Sequence, residues 1–397
     1  APFTRCGPTP PGWRARYRVV PFEGLWIVSD DPTAGGDSVM GPGPTTLQLA
    51  RMMPARCPPS ALDVGCGAGT FALLAAARGS TRAVGVDINA RAVVLSRVNA
   101  TLNGLQCHFD AGDLYAPVAG ERFDLIVSQP PFVVRPPSAA DTVYLYGGSM
   151  GDELAMRMVA ETPPALAVGG RALVLMSSAV RPGAPLFARL REALGDAPID
   201  LLILAAQGAS PAAQAIGYTS LDHPDFGPAY AAAVRRYCDH LDAMGIREVT
   251  HAVVVLSNNG KAPRFSATLP MKSMLGADAA ALDRALAAVE LAGAPDDALL
   301  AARVTTPPMA IFVEERGTPD RTAEPTITVK LERSGVGADQ KVSEATLALL
   351  EALHDSASVA EAVARYAALC EVSPEEVRGE LVQFVRQSLA RGLLVRA

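Results

Sequence analysis

The stretch Ala61–Thr70, ALDVGCGAGT, decides the fold of this chain. A strand-like apolar run enters a turn that contains Gly65, Gly67 and Gly69, and a helix-like run follows directly. Glycine adopts backbone dihedrals that other residues avoid and lets a ligand approach the main chain closely. The free amides at the start of the next helix point toward such a ligand. The stretch therefore predicts a strand, a turn and a helix with a ligand at the turn.

The acid beside this turn indicates the class of ligand. A dinucleotide fingerprint requires a glycine where this chain has Thr70, and it places a pyrophosphate at the helix start. The carboxylate of Asp63 would repel that phosphate and attract an ammonium group. The turn therefore favours an aminoacyl nucleoside without phosphates and disfavours a nicotinamide dehydrogenase.

With Asp87 at the end of the next apolar run, the motif resembles that of the Rossmann-like (class I) S-adenosylmethionine-dependent methyltransferases. The resemblance implies that the turn holds the methionine part of the cofactor and that Asp87 accepts both ribose hydroxyls. It also implies that Asp113 and Leu114 border the adenine, and that S-adenosylhomocysteine is the product. The cofactor residues predicted in this way are Thr45, Asp63, Gly65, Cys66, Gly67, Gly69, Asp87, Ile88, Asp113, Leu114 and Ser128. An ordinary α/β turn with surface acids is the alternative.

A second motif, FDLIVSQPPF at Phe123–Phe132, resembles the N-P-P-[YF] signature of methyltransferases that modify planar nitrogens. Upstream, GPGPTT resembles a segment of the small-domain release-factor glutamine methyltransferases. The resemblance implies that Gln129, Pro130 and Phe132 hold the acceptor, through N–H bonds to the amide and a proline carbonyl and through stacking on the ring. Glutamine stands where the family has asparagine, which moves the carbonyl by roughly 1 Å or more. Either the pocket is re-spaced for another acceptor, or Gln129 only shapes it; a turn in which prolines end a strand is the plain alternative.

A general base would be needed if the acceptor were an oxygen, and histidine is the natural choice near neutral pH. His223, in LDHPDFG with Asp222 and Asp225 beside it, is the candidate catalytic base, and an exposed loop histidine is the alternative. The stretch VYLYGGSMGDEL, Val143–Leu154, resembles a Y-R-D-G-G-x-x-G-D segment of the small-domain methyltransferases. Leu145 and Tyr146 stand where that segment has arginine and aspartate, which predicts a more apolar site. No spacing of His, Cys or acids predicts a metal site.

Composition limits the class of protein. The chain has 397 residues, is 49% hydrophobic and carries a net charge of -6, which predicts a globular protein without an extensive nucleic-acid surface. Six scattered cysteines without a CxxC pair favour the cytoplasm. No apolar run reaches the roughly 18 residues of a membrane-spanning helix.

Strands alternate with helices from Ala61 to about Asn258, which predicts an α/β fold with a doubly wound, mostly parallel, seven-stranded sheet. The ligand should lie at the carboxyl ends of the strands. We expect residues 1–60 to form an extension that covers the cofactor, 61–258 the methyltransferase domain, 259–335 an α+β connecting region, and 336–397 a helical domain. The last loosely resembles the winged-helix PqqD-like domains, and a helical packing or dimerisation domain is the alternative.

These patterns predict a methyltransferase that acts on the nitrogen or oxygen of a specialised small molecule or peptide in biosynthesis. The C-terminal domain could add a homodimer contact or a peptide partner. One alternative is a macromolecular methyltransferase that modifies protein glutamine or RNA. The other is a scaffold that binds the cofactor without turnover.

Overall fold

The structure is a computed structural model. It describes residues 3–6, 12–31, 37–134, 145–180, 183–223, 226–272, 277–315, 326–331 and 335–397. The chain divides into two compact units, one made of Ala1–Leu201 with Gln207–Pro263 and the other of Leu202–Ala206 with Arg264–Ala397. The four-segment division expected from the sequence stays a prediction. Within the described ranges, no helix is both long and apolar enough to cross a membrane.

The strands are β1 (Phe3–Cys6), β2 (Gly12–Ala15), β3 (Tyr17–Phe22), β4 (Leu25–Asp30), β5 (Ser60–Val64), β6 (Arg82–Asp87), β7 (His108–Ala111), β8 (Phe123–Ser128), β9 (Leu166–Val180), β10 (Ile199–Ala206), β11 (Glu248–Asn258), β12 (Ser266–Met271), β13 (Val304–Thr305), β14 (Ile311–Glu315), β15 (Thr326–Lys330), β16 (Gln340–Val342) and β17 (Val395–Arg396). The helices are α1 (Pro44–Met52), α2 (Thr70–Ala77), α3 (Ala90–Leu102), α4 (Glu153–Ala165), α5 (Leu186–Leu194), α6 (Pro211–Asp222), α7 (Pro228–Ala243), α8 (Ala279–Ala292), α9 (Asp296–Ala301), α10 (Glu344–His354), α11 (Val359–Leu369) and α12 (Pro374–Ala390).

The central sheet has eight strands in the described part of the chain, where the sequence predicted seven. Six of them lie wholly in the first unit, in the order β7-β6-β5-β8-β9-β11. The pairs from β7 to β9 are parallel, and β9 pairs with β11 antiparallel. The predicted doubly wound α/β fold is confirmed. Because β5, β6 and β8 are parallel, their carboxyl ends meet at one edge of the sheet, where ligands of such folds bind.

Two helix starts illustrate how the local sequence acts. Helix α3 begins after Asn89, whose side chain accepts the Arg91 amide at 3.0 Å and so caps the helix. Helix α1 differs, because its N-cap is Gly43, which has no side chain to cap the helix, and Pro44 is its first residue. The Thr46 hydroxyl instead accepts the Gly43 amide at 3.1 Å. Proline fits the first helical position because no helical bond needs its missing N–H.

The insertion between β10 and β11 forms a helical hairpin, α6–α7. Ser210 caps α6 by accepting the Ala213 amide at 3.2 Å. The inner face of the hairpin packs on the residues that follow Phe132. The Tyr237 hydroxyl donates to the Val134 carbonyl at 2.6 Å, which fixes α7 to that segment.

The second unit has its own core, built from helices α8 to α12 and short strands. Buried leucines and valines on both sides of residue 335, such as Leu299, Val329, Leu350 and Val385, belong to one cluster. Ser373, at the start of α12, forms a capping box with Glu376. The likeness of residues 336–397 to PqqD-like domains stays a prediction.

Candidate active site

A cavity of about 500 Å³ lies at the carboxyl ends of β5, β6 and β8. The segment Ser38–Thr46, the glycine turn, the end of β6 and the QPPF motif line it, together with two residues of α4 and one of α6. The structure thus brings both sequence motifs to one cavity. The predicted site residues among its lining are Thr45, Gly65, Cys66, Gly67, Asp87, Ile88, Asp113, Leu114, Gln129, Pro130 and Phe132.

The glycine turn is held tightly against its neighbours. The amides of Gly65 and Cys66 donate to the Val86 carbonyl at 2.8 and 3.0 Å, which ties the turn to β6. Gly69 has φ of +81°, and a Cβ there would lie 2.9 Å from the Cβ of Ser96 on α3. Gly69 does not line the cavity. Glycine is required there because the turn is both left-handed and closely packed.

The carboxylate of Asp87 lines the cavity and is held by the turn. One oxygen accepts the Gly67 amide and the other accepts the Asn89 amide, both at 2.8 Å. Burial raises the pKa of Asp87. Each carboxylate oxygen retains a lone pair after one hydrogen bond. The geometry therefore leaves capacity for the two ribose hydroxyls, and that role stays a proposal.

Asp63 lies outside the cavity lining and is 1% exposed. Its Oδ2 accepts the Phe71 and Ala72 amides of α2, each at 3.1 Å, while Oδ1 has no hydrogen-bond partner in the described part of the chain. Burial, opposed by these two bonds and reinforced by Asp87, raises the pKa of Asp63 to about 7. Two buried acids beside the turn fit a cationic cofactor, whose charge would stabilise their ionised forms.

The residues predicted to border the adenine take different positions. Asp113 lines the cavity, but its two oxygens accept hydrogen bonds from Arg157 at 2.7 and 3.1 Å. Leu114 has φ of +46°, an uncommon conformation for a branched residue. Ile88 is 68% exposed and lies at the rim. Ser128 does not line the cavity, because its hydroxyl donates to the Val64 carbonyl within the sheet at 2.7 Å.

The acceptor end of the cavity is formed by the QPPF motif. The Gln129 amide nitrogen donates to the Thr45 hydroxyl oxygen at 2.7 Å. The Phe132 ring meets the His251 ring edge-on, with the two ring centroids 5.8 Å apart. The His251 ring is 2.5 Å from the Ser177 hydroxyl, and burial lowers its pKa. The ring of Phe132 therefore rests on a neutral imidazole.

His223 does not line the cavity; it caps the end of α6. Its neighbour Asp225 lies outside the described residues. Tyr218 of α6 is a lining residue that sequence reasoning missed. Helical spacing in the insertion was the available signal, since Ala215, Tyr218 and Thr219 share one face of α6. Among the described residues, no three His, Cys, Asp or Glu side chains could hold a metal ion together.

The sequence profile of the methyltransferase small domain family matches residues 42–196. This region belongs to the methyltransferase small domain family. The match begins within the cavity-lining segment Ser38–Thr46 and covers the glycine turn and the QPPF motif. S-Adenosylmethionine is accordingly the cofactor of the methyltransferase domain, as the sequence predicted.

Three relatives are similar to parts of the chain. A Methanocaldococcus jannaschii protein, whose name proposes protein N5-glutamine methyltransferase activity, is 37% identical over 30% of this chain and 61% of its own length. The release factor glutamine methyltransferase of Deinococcus radiodurans is 39% identical over 29% of this chain and 45% of its own. The ribosomal RNA small subunit methyltransferase C of Alcanivorax borkumensis is 35% identical over 28% of this chain and 30% of its own.

The chain thus spans less than two thirds of the length of each of these relatives. Their names specify protein glutamine or ribosomal RNA as the acceptor. The expected partners, a small molecule or peptide with no extensive nucleic-acid surface, were therefore wrong. Neither the Gln129 substitution nor the net charge of the whole chain identifies the acceptor.

Proposed function

We propose that the methyltransferase domain transfers the methyl group of S-adenosylmethionine to a planar, uncharged nitrogen of a macromolecule, a protein glutamine or an RNA base. One observation carries the proposal: a single cavity joins the glycine turn to Gln129, Pro130 and Phe132. A cofactor at the turn would present its methyl group toward these residues. Methyl transfer is a displacement in line with the breaking bond, so alignment of donor and acceptor is the main task of the protein.

The charges of the cavity favour nitrogen over oxygen as the acceptor. Among the described lining residues, the charged side chains are Asp87 and Asp113. Asp87 is bound by the amides of the turn and Asp113 by Arg157. An oxygen acceptor needs a general base. A planar nitrogen instead needs hydrogen-bond acceptors for its N–H groups, which the Gln129 amide and the Pro130 carbonyl supply by their chemistry.

The walls of the acceptor end suit a flat, neutral group. Phe132 offers a ring for stacking, and the neutral His251 behind it adds no charge. Tyr218 forms part of the wall, and burial raises its pKa to about 12. It therefore remains a neutral phenol that can donate to a carbonyl oxygen. The side-chain amide of glutamine and the edge of a base both present such a carbonyl beside a planar nitrogen.

The relatives support the macromolecular nature of the acceptor, because the named ones act on protein glutamine or ribosomal RNA. Recombinant release factor and ribosomal RNA transcribed in vitro, both with Deinococcus radiodurans sequences, are suitable unmethylated acceptors. Each is incubated with the protein and S-adenosylmethionine that carries a tritiated methyl group. Digestion and mass spectrometry then locate the label.

We expect label on a glutamine amide nitrogen or on a base nitrogen, and none with the Asp87→Ala variant. The class of acceptor follows from which of the two macromolecules is labelled. Label on a ribose or carboxylate oxygen would exclude the nitrogen assignment. Tight binding of S-adenosylmethionine without transfer to either acceptor would favour a non-catalytic scaffold.

A further inference from the structure

We propose that Thr45 is a positioning residue that anchors the Gln129 amide and turns its carbonyl toward the acceptor nitrogen. The inference rests on the proposed N-methylation. It starts from the 2.7 Å hydrogen bond between Gln129 Nε2 and Thr45 Oγ1, which joins residues 84 positions apart. Both residues line the same cavity, one from the first turn of α1 and the other from the end of β8.

The bond compensates for the longer side chain in the motif. Glutamine has one more rotatable bond than asparagine, so an unanchored amide would occupy several rotamers at the acceptor end. The Thr45 hydroxyl selects one of them. Its own position is fixed, because Pro44 and the Gly43–Thr46 bond set the first turn of α1. The hydrogen bond from Thr45 of α1 thus offsets the extra length of the Gln129 side chain. The amide is held in place before the acceptor binds.

The direction of the bond determines what the acceptor must offer. A side-chain amide has an N–H end and a carbonyl end. Since the nitrogen end is bound to Thr45, the carbonyl oxygen Oε1 remains to accept a hydrogen bond in the cavity. The matching acceptor carries at least one N–H on the nitrogen that becomes methylated. An exocyclic amine of a base and a primary carboxamide meet this condition, whereas a ring nitrogen without hydrogen does not.

This assignment differs from the sequence prediction that Thr45 contacts the cofactor. If Thr45 serves Gln129, its loss lowers kcat for methyl transfer and leaves the affinity for S-adenosylmethionine unchanged. If Thr45 serves the cofactor, its loss weakens that affinity. The two roles are separated by Thr45→Val, which keeps the shape and removes the hydroxyl, and by Thr45→Ser, which keeps the hydroxyl.

Kinetics on the acceptor labelled by the wild-type protein give the first test. We expect Thr45→Val to lower kcat about tenfold, the effect of one lost hydrogen bond. The Kd for S-adenosylmethionine from calorimetry should stay the same, and Thr45→Ser should restore kcat. In a Gln129→Ala background, Thr45→Val should cause no further loss, since the two residues act as a pair. Thr101→Val is the matched control, because the Thr101 hydroxyl donates to Arg97 within α3, on an exposed face.

Nuclear magnetic resonance of protein labelled with ¹⁵N-glutamine gives a second test that needs no acceptor. The Gln129 side-chain signal is identified by its loss in Gln129→Ala. In the wild type its amide protons should exchange slowly, and Thr45→Val should speed the exchange and shift the signal, while Thr101→Val should not. An unchanged signal in Thr45→Val, or additive kinetic losses in the double variant, would overturn the proposal. A shifted signal in a protein that methylates neither acceptor supports the anchoring of Gln129 and counts against the proposed function.

Discussion

The buried acid Asp63 should make the first unit less stable as the pH rises, and replacement by asparagine should remove that trend. Burial raises the pKa of Asp63 from 3.8 to about 7. Between these values the folded protein keeps the proton on Asp63 and the unfolded chain has released it. The unfolded state then binds fewer protons, so the free energy of unfolding falls with rising pH.

The size of the effect follows from the same two values. Each pKa unit corresponds to about 1.4 kcal/mol. The free energy of unfolding should therefore fall by about 4 kcal/mol between roughly pH 4 and pH 7 and remain level above that range. Asp63→Asn keeps an oxygen for the Phe71 and Ala72 amides and cannot ionise. The free energy of unfolding of this variant should therefore lack the pH dependence due to Asp63 and keep the pH dependence due to the other groups.

Tryptophan fluorescence is a suitable assay, because both tryptophans, Trp13 and Trp26, belong to the first unit. Urea titrations at several pH values give the free energy of unfolding of that unit for the wild type and for Asp63→Asn. The difference between the two proteins isolates Asp63 from other groups, such as Asp87, whose pKa is also raised. Parallel pH profiles for the two proteins would refute the assignment of a protonated Asp63 in the folded state.

Two further perturbations address the turn and the cofactor. Gly69→Ala should destabilise the first unit by about 2 to 4 kcal/mol, through left-handed strain and overpacking. Gly79→Ala should reduce the free energy of unfolding by only about 1 to 2 kcal/mol, because φ is +103° but no described atom lies within 4 Å of the added Cβ. Equal losses of the two variants in urea titrations would disprove the steric argument. Asp87→Ala should weaken S-adenosylmethionine binding at least about tenfold, since hydrogen bonds to a charged acceptor are strong. An unchanged Kd in calorimetry would exclude the ribose contact.

The cofactor half of the site could be predicted because its signals are local. The glycine turn, the apolar strands around it and the acid at the end of β6 lie within 27 residues, Ala61–Asp87. Main-chain geometry places them together once β5 and β6 pair in register. Asn89 likewise caps α3 with a side chain two residues from its partner. Residues that interact and lie close together in the chain form a motif that can be recognised in a single sequence.

The acceptor half depends on contacts between distant segments, and these leave no local pattern. The Thr45–Gln129 bond and the Tyr237–Val134 bond span 84 and 103 positions. In β9, pairing with β8 outweighs the preference of its two glycines for a turn. The strand begins at Leu166, which pairs with Phe123 of β8, and it continues through Gly169 and Gly170. His223 was singled out for its residue type and for the acids beside it in sequence, and the fold places it at a helix end instead.

The α6–α7 hairpin has a consequence for how this molecule could acquire new acceptors. Its tyrosine at position 218 closes one side of the cavity, yet the sheet and the glycine turn come from other parts of the chain. Under the proposed function, this wall of the acceptor end is encoded apart from the glycine turn and from the QPPF motif. Variation or grafting of the hairpin would then change one wall of the acceptor end and leave the glycine turn unchanged.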